Sequence, residues 1–545
     1  MEASPLTTRP TAWAPLGFRV YRLLWLAVLV SNLGTWMQLV GAQWLLVNLP
    51  HAATLVALVQ TADTLPDLLL ALPGGALADI FDRRRFLIGL QWFQIAVGAG
   101  LTVLTLAGQM TPPLLLGFTF LLGAAGAIET PAYQALIPEL VPREQIAAAA
   151  ALGGVNINLA RAIGPALAGL LIARLGVGWV FALNTISFVF IPVVLLGWRR
   201  QLIAGAEAPE RFLPALRAGG RYVRHDPVSR RILLRLGLFI APATAIWALL
   251  PLLATQRLHM SAGGYGLLLG GLGAGAILGA LVLPSLSMRL TPNPMLFVAA
   301  AAYAVATIAV VLVQRPLLAF LALLPAGAAW MAVISSSNAE MQLFLPQWVR
   351  ARGLATYQMV LFGSQALGAI AWGVLAQYAG LPIAFLVAAA LLFAGAATLG
   401  TWPLLDTRGL DRAPSLHWPE PNLTFEPAPE TPVAVATMYT VAPDLETRFL
   451  AAMQEIRLSR LRTGAIGWRL YREGETARVF VETYFVATWE EHLRQHHGRL
   501  TGADAVIDRR ARELSDPKPS SKHWFLAEPE FRRAGDDSAK DLTVS

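Results

Sequence analysis

Cysteine is absent from all 545 residues, which excludes a disulfide framework and thiolate metal sites and leaves the redox compartment unmarked. Lysine does not occur before Lys518. Charged residues make up only 14%, where soluble domains carry about a quarter. No G-x-x-x-x-G-K-[ST] loop is present, so an ATP-driven pump is not expected. Residues Met1 to Pro15 show no apolar core ending in a small-residue cleavage site, so the N-terminus is expected to stay in the cytoplasm. What the chain has is apolar length. Hydrophobic residues reach 56% and mean hydropathy is +0.55. That exceeds what a soluble core holds, and a protein crossing the lipid bilayer many times is the first expectation. The net charge of +8 comes from arginine, whose distribution argues for membrane orientation and against nucleic acid as a partner.

A spanning helix needs roughly 20 apolar residues. Twelve such runs are read, at about 20–47, 53–78, 86–108, 113–137, 146–172, 178–198, 232–256, 264–288, 295–313, 317–345, 353–378 and 382–404. With the N-terminus inside, the cytoplasmic loops hold Arg83–Arg85, Arg143, Arg199, Arg200, Arg211, Arg217, Arg221, Arg224, Arg230, Arg231, Arg289, Arg350 and Arg352. The opposite loops hold only Arg174, Arg257 and Arg315, which sets the orientation. The longest inner loop, 199–231, divides a six-helix half (1–198) from a second (232–405). The halves echo each other. In "PAYQALIPELVPRE" (131–144) and "AEMQLFLPQWVRAR" (339–352), Gln134 and Gln342 each stand four residues before a proline, 208 positions apart. Such duplications build a central site with alternating access in many transporters. The expected fold is therefore an all-α membrane protein of twelve transmembrane helices in two pseudo-symmetric halves, followed by a small α+β domain.

Asp63, Asp67, Glu129, Arg161 and Glu340 sit well inside these runs. Each costs a few kcal/mol at the bilayer centre, so each should face the bundle interior or a wet cavity. Asp63 and Asp67 share one helix face, with Pro66 loosening the backbone between them. Two close, buried carboxylates raise each other's proton affinity, which suits proton coupling. Arg161 lies at a depth nearer Asp63 and Asp67 than Glu129; it either neutralises one of them or binds an anionic substrate. A buried charge satisfied by a structural partner is the plain alternative for each. Asn32, Gln38, Gln43, Asn156, Asn158 and Gln365 add polar handles. Trp36, Trp44, Trp330 and Trp372 either line an aromatic path or serve as packing and interface anchors.

Between runs two and three, "PGGALADIFDRRRFLIGL" (73–90) gathers Gly75, Asp79, Asp82 and Arg83–Arg85. This could be ordinary positive-inside charge. It could also be a latch. Asp79 would sit at the level of the eleventh helix's N-terminus, near Gly353, whose free N–H groups and dipole attract a carboxylate by about 0.3–1 kcal/mol, up to about 2 when partly buried. Arg83 or Arg84 could pair with Glu139 at the end of run four and stiffen the first half.

"GGALADIFDRRR" resembles the loop between spans two and three of the major facilitator superfamily, with Asp82 where a glycine is usual. "NLGTWMQLVGAQWLL" (32–46), "LVQTADTLPDLLLALPGGALAD" (58–79) and "LARAIGPALAGLL" (159–171) resemble its branch of enterobactin exporters and transmembrane secretion effectors. The last stretch is similar to the exporters' antiporter motif, through Gly164, Pro165, Ala168 and Gly169, with Ala160 replacing its first glycine. In the second half the charged loop has decayed to "PSLSMRLTPNP" (284–294). The resemblance implies a charge relay at the gate around Asp79. It also implies that Glu129 and Glu340 face a central cavity, there to bind a cationic substrate or carry protons.

After Trp402 the composition changes. Residues 406–430, with "RAPSLHWPEPNLTFEPAPETP" (412–432), read as an extended Pro-rich linker. A domain at 431–528 follows, with a strand at 433–441, a helix at 444–464 capped by Asp444 and stopped by Gly464, a hairpin of 466–473 and 477–486 across Gly474, a single helix over 488–514, and a strand at 523–527. The order βαββαβ predicts a cytoplasmic ferredoxin-like unit. It resembles the dimeric domains of the antibiotic-biosynthesis monooxygenase type, which implies a homodimer contact or a substrate-handling role. His492 and His496 are i and i+4, with His497 beside them, but no third ligand is evident; the group reads as a solvated helix face and no metal is expected. Residues 529–545 read as a disordered polar tail.

The expected function is a secondary active transporter in the cell membrane with both termini cytoplasmic. It would export a small organic compound (siderophore, drug or secondary metabolite) by proton antiport, without a cofactor and not as an enzyme. An importer or uncoupled facilitator of the same fold remains open, as does a membrane-tethered enzyme or sensor acting through its tail.

Overall fold

Proline opens several of the apolar helices, where its missing N–H is no loss. The computed structural model describes residues 13–198, 212–407, 409–476 and 478–526, with the side chains of 71–72, 75–76, 78–80 and 212–218 outside that description. The polar tail at 529–545, much of the loop at 199–231, and the side chain of Asp79 together with Gly75 therefore lie outside the described residues.

The chain forms α1 (Arg19–Leu46), α2 (Ala52–Ile80), α3 (Arg83–Leu106), α4 (Pro112–Leu140) and α5 (Ile146–Leu175). The sixth apolar run is broken into α6 (Val177–Ser187) and α7 (Phe190–Gly197). Then come α8 (Phe212–His225), α9 (Pro227–Leu252), α10 (Ala262–Ser287), α11 (Pro292–Leu312), α12 (Pro316–Phe344), α13 (Gln347–Ala379) and α14 (Leu381–Ala397). Among the described residues, 11 helical stretches are long and apolar enough to cross a bilayer; α14 is apolar but has 17 residues. The expected starts are late at α9 and at α13. The latter begins at Gln347, with Val349 N donating to Pro346 O (3.2 Å), so Gly353 lies within the helix and not at its N-terminus.

Cα packing divides the chain into two compact units. The first comprises Met1–Ala215, Val228–Phe344 and Ala351–Asp406. The second comprises Leu216–Pro227, Leu345–Arg350 and Thr407–Ser545.

In the first unit α2 packs along α4, α1 along α5, α5 along α10, and α10 on α12. Small residues permit this closeness. A methyl added to Gly169 of α5 would stand 2.5 Å from the Ala262 carbonyl of α10. The two halves repeat a local device. Gly176 joins α5 to α6 and Gly380 joins α13 to α14, both at φ +88, a backbone that disfavours any side chain. In each half an arginine also caps the carbonyl end of the last helix. Arg84 donates to Leu195 O (2.7 Å) and Leu196 O (3.1 Å) at the end of α7. Arg235 donates to Gly395 O (2.9 Å) and Thr398 O (2.8 Å) at the end of α14. Cations satisfy orphan carbonyls and the helix dipole there.

In the second unit β1 (Val433–Thr440), α15 (Glu446–Thr463), β2 (Ala465–Arg472), β3 (Val479–Val486), α16 (Trp489–Arg494), α17 (Gly502–Arg512) and β4 (Ser520–Phe525) follow in sequence. The sheet order is β2-β3-β1-β4, with every neighbouring pair antiparallel. Odd residues of β1 and even residues of β3 are buried, the period-2 pattern of a sheet covered on one face. Three local expectations need correction. The α15 cap position is Leu445, and Asp444 sits in the preceding turn. The helix expected over 488–514 is broken at Gly498 (φ 152), and α17 restarts from a capping box of Thr501 and Asp504. The Pro-rich stretch is not a free tether: Ser415 N donates to Leu500 O (2.8 Å) and Trp418 Nε1 to Asp508 Oδ2 (2.9 Å).

Candidate functional site

The bundle's ionisable side chains come from helices whose mean character is apolar. Asp63 and Asp67 lie one turn apart on α2, both half-buried, where α2 meets α4 closely: a methyl at Gly123 would stand 2.6 Å from Asp63 O. Glu129, on α4, accepts from Gln94 Nε2 of α3 at 3.0 Å. Glu340 is half-buried on α12. Arg161, on α5, places its guanidinium 5.4 Å from the Trp36 ring centre, and its buried Nε has no hydrogen-bond partner. Among the described residues no ion pair or hydrogen bond joins Arg161 to Asp63, Asp67 or Glu129, so neutralisation of an aspartate by Arg161 is not what the structure shows.

The predicted polar and aromatic handles are partly structural. Asn32 donates to Asn156 Oδ1 (2.9 Å) and Asn156 to Trp25 O (2.8 Å), pinning α1 to α5. Trp36 and Trp330 join Trp247, an aromatic residue the sequence reading did not single out, at centroid distances of 6.0 and 5.3 Å. Arg161 and this tryptophan cluster together offer a cation and aromatic faces on one side of the interior.

Hydrogen bonds, ring pairs and glycine approaches also join the halves. Tyr265 OH donates to Gln43 Oε1, and Trp44 stacks on Tyr265 at 6.3 Å. Thr61 Oγ1 donates to Ala366 O (3.1 Å). Added methyls at Gly373 and Gly273 would meet Ala57 Cβ and Ala162 Cα at 2.5 Å, and one at Gly363 would meet Leu68 at 3.2 Å. Gly266 approaches Pro165 O and Gly169. The antiporter-like stretch is therefore a glycine-lined seam against α10. All these links lie between mid-helix and the end of the bundle carrying the α1–α2 loop.

The other end of the bundle carries the charged loop between α2 and α3. Arg83 Nη1 meets Glu139 Oε1 at 3.0 Å and also donates to Ala135 O (3.0 Å), tying α3 to α4. Asp82 is the N-cap of α3, accepting from Arg85 N at 2.9 Å, a role the glycine usual in the resembled motif lacks.

The second unit treats charge differently. Arg460, 4% exposed, bridges Glu482 (3.2 Å) and Asp508 (2.7 Å), while Tyr439 and Trp468 also donate to Glu482. Burial opposes the Asp508 carboxylate, yet Arg460, His417 and Arg512 hold its pKa well below the carboxylate range. Asp504 is likewise lowered despite burial, by Arg462, Ser459 and Thr501. Asp226, just before α9, meets Arg462 at 3.6 Å, Arg221 pairs with Glu491, and Trp348 donates to Arg499 O (3.2 Å). Parts of two loops thus belong to this unit's own network. The histidines also differ from expectation. His492 and His496 are 1% and 6% exposed, so they do not form a solvated face. Burial lowers His492 to about 3 and His496 to about 4, and both are neutral. His523 of β4 lies against them, a partner that no spacing in the chain signals.

Comparison with known proteins accords with this architecture. A Staphylococcus aureus staphyloferrin A transporter is 26% identical over 280 residues, covering 51% of this chain and 70% of that protein. The enterobactin exporter EntS of Citrobacter koseri is 31% identical over 41% of this chain, which spans about half (53%) of that relative. A solved D-xylose-proton symporter superposes with TM-score 0.57 at 14% identity, over 72% of this chain and 98% of its own, a likeness of fold alone. The family match runs over residues 10–528, and its relatives are transporters rather than enzymes. The chain is a multi-pass membrane transporter of small molecules and belongs to the transmembrane secretion effector family.

Proposed function

We propose that the protein exports a small organic compound of the siderophore or secondary-metabolite type in exchange for protons, by alternating access of two six-helix halves. The arginine bias supports assigning the α2–α3 end to the cytoplasm. Under that assignment the links between halves close the outer side, an inward-open stage ready to load cargo. Twelve crossings follow if α14 spans with its short apolar stretch. Asp79 remains the candidate latch for the opposite stage, with Arg83, Arg84 and Glu139 as its frame.

The observation that carries the reading is the state of the interior charges. Glu129 is held by an amide, and Asp63, Asp67 and Arg161 have no ionic partner among the described residues. A charge at the bilayer centre costs about 2.5–3.5 kcal/mol on insertion scales. Carboxylates kept there without a counter-charge suit loading and release of protons, and Arg161 beside Trp36 suits an anionic or aromatic cargo. Reconstituted protein supplied with staphyloferrin A and enterobactin tests this. Glu129→Gln should abolish gradient-driven accumulation of the transported compound while leaving expression unchanged. Wild-type rates in that variant, and again in Asp67→Asn, would remove proton coupling.

The tail is read as ferredoxin-like, consistent with its strand order, and as a dimer contact. Its outward sheet face aligns Ile466, Phe485, Ala434 and Trp524 across four strands, with Phe485 57% and Trp524 59% exposed. Two such faces would bury apolar area that monomers leave wet. Cross-linking of the full-length protein in detergent should yield dimers that Trp524→Lys prevents.

A further inference from the structure

We infer that the tail holds a first-row divalent transition-metal ion on His492, His496 and His523, with an open position facing a cavity. The three rings come from two separated pieces of chain. His492 lies in the last turn of α16, His496 one turn later in the widened turn 495–499, and His523 sits on edge strand β4 opposite Val435. Their Nε2 atoms converge: His492 Nε2 is 2.9 Å from His523 Nε2 and 3.3 Å from His496 Nε2. One ligand atom from each ring lies within 4.8 Å of the others.

Hydrogen bonding at its outer nitrogen fixes how the His492 ring presents itself. Gln495 Nε2 donates to Thr463 Oγ1 (3.3 Å), which aims its carbonyl oxygen at His492 Nδ1, 2.9 Å away. His492 therefore carries its proton on Nδ1 and turns a lone pair inward from Nε2. This is the outer-partner arrangement seen behind metal-bound imidazoles. That single lone pair faces two neighbouring nitrogens and can accept from only one of them well. A cation between the rings instead takes a lone pair from each.

The geometry suits a small ion. Zn–N bonds of about 2.0–2.1 Å in tetrahedral array set nitrogens about 3.3 Å apart. The His492–His496 separation already matches, the His492–His523 pair must open by about 0.4 Å, and the His496–His523 pair, within 4.8 Å, must settle to the same spacing as the side chains turn. Three imidazoles and no thiolate or carboxylate select the Zn, Co, Ni, Fe and Cu group over Mg or Ca. Arg460 is no obstacle, because Glu482 and Asp508 neutralise it. The trio lines a cavity of about 700 Å³ that Trp418, Tyr484, Arg512 and Lys522 also border, so a fourth ligand can enter. The cationic border favours an anionic oxygen donor there. His497 takes no part, since its Nε2 is engaged by Glu420 at 2.8 Å and it lies outside the trio.

The test uses full-length protein in detergent, without a polyhistidine tag, stripped with chelator and titrated with Co²⁺ and then Zn²⁺. One Co²⁺ per chain should bind with the intense visible bands of four- or five-coordination, and Zn²⁺ should displace it. His523→Ala and His496→Ala should weaken binding at least about 100-fold, Gln495→Ala about 10-fold, and His497→Ala not at all. Circular dichroism reports whether each variant is folded, and His523→Gln, at a half-buried edge-strand position, provides a milder change. A weak octahedral Co²⁺ spectrum, or binding that survives in folded His523→Gln and His496→Ala, would overturn the inference. So would equal loss in His497→Ala.

Discussion

The two units of this protein bury charge in opposite ways. In the tail, Arg460 meets Glu482 and Asp508, Arg462 meets Asp504, and Arg499 meets Glu491, so these buried cations are paired with anions. In the bundle, Asp63, Asp67 and Arg161 lie among apolar helices without an ionic partner among the described residues, and Glu129 is met by a neutral amide. Paired charge makes a rigid scaffold, because breaking a pair strands a charge in low dielectric. Unpaired charge in a membrane helix is a standing cost, and its retention points to work that needs the group to change state or partner. The end-capping arginines, Arg84 and Arg235, show that the bundle also satisfies charges when they are structural.

That contrast can be broken at several points. Arg460→Ala leaves two carboxylates buried and should destabilise the tail by about 3–5 kcal/mol, seen as faster hydrogen exchange across β1, β3 and α17. Gly266→Leu wedges the seam between α5 and α10 at about 1–3 kcal/mol. The chain's lack of cysteine makes Gln43→Cys, normally 2% exposed, a clean reporter; its labelling should rise about tenfold in the Gly266→Leu background. Acid should act on the tail next. Asp508 and Asp504 have folded pKa values below their unfolded ones, so their contribution is complete above the unfolded pKa. It is lost as pH falls below about 4, where exchange protection in α17 should begin to decline. The smallest effect is expected at Arg83→Ala, whose partly exposed pair with Glu139 contributes about 1 kcal/mol or less to stability by thermal unfolding.

Much of the bundle is legible in the sequence because one physical rule, apolar length, decides each helix. The helix starts that were missed, α9 and α13, begin among arginines and polar residues that hydropathy discounts. Arg83 and Glu139 were readable as a pair because both flank predicted helix ends. The caps made by Arg84 and Arg235 were not, since their carbonyl partners are more than a hundred residues away. In the tail, Gly464 and the Thr501–Asp504 box carry local signals, and overlooking the latter merged two helices. His523 was illegible for a different reason. Only the register of β4 on β1 brings it to His492, and single-sequence spacing holds no record of that register.

The most direct measurement is proton flux in proteoliposomes containing a pH-sensitive dye, with enterobactin or staphyloferrin A supplied on one side. Addition of the transported compound should drive counter-movement of protons in the wild type and none in Glu129→Gln, with both proteins equally folded. Compound moving at the same rate with no proton flux, and unaffected by collapse of the pH gradient, would contradict the account.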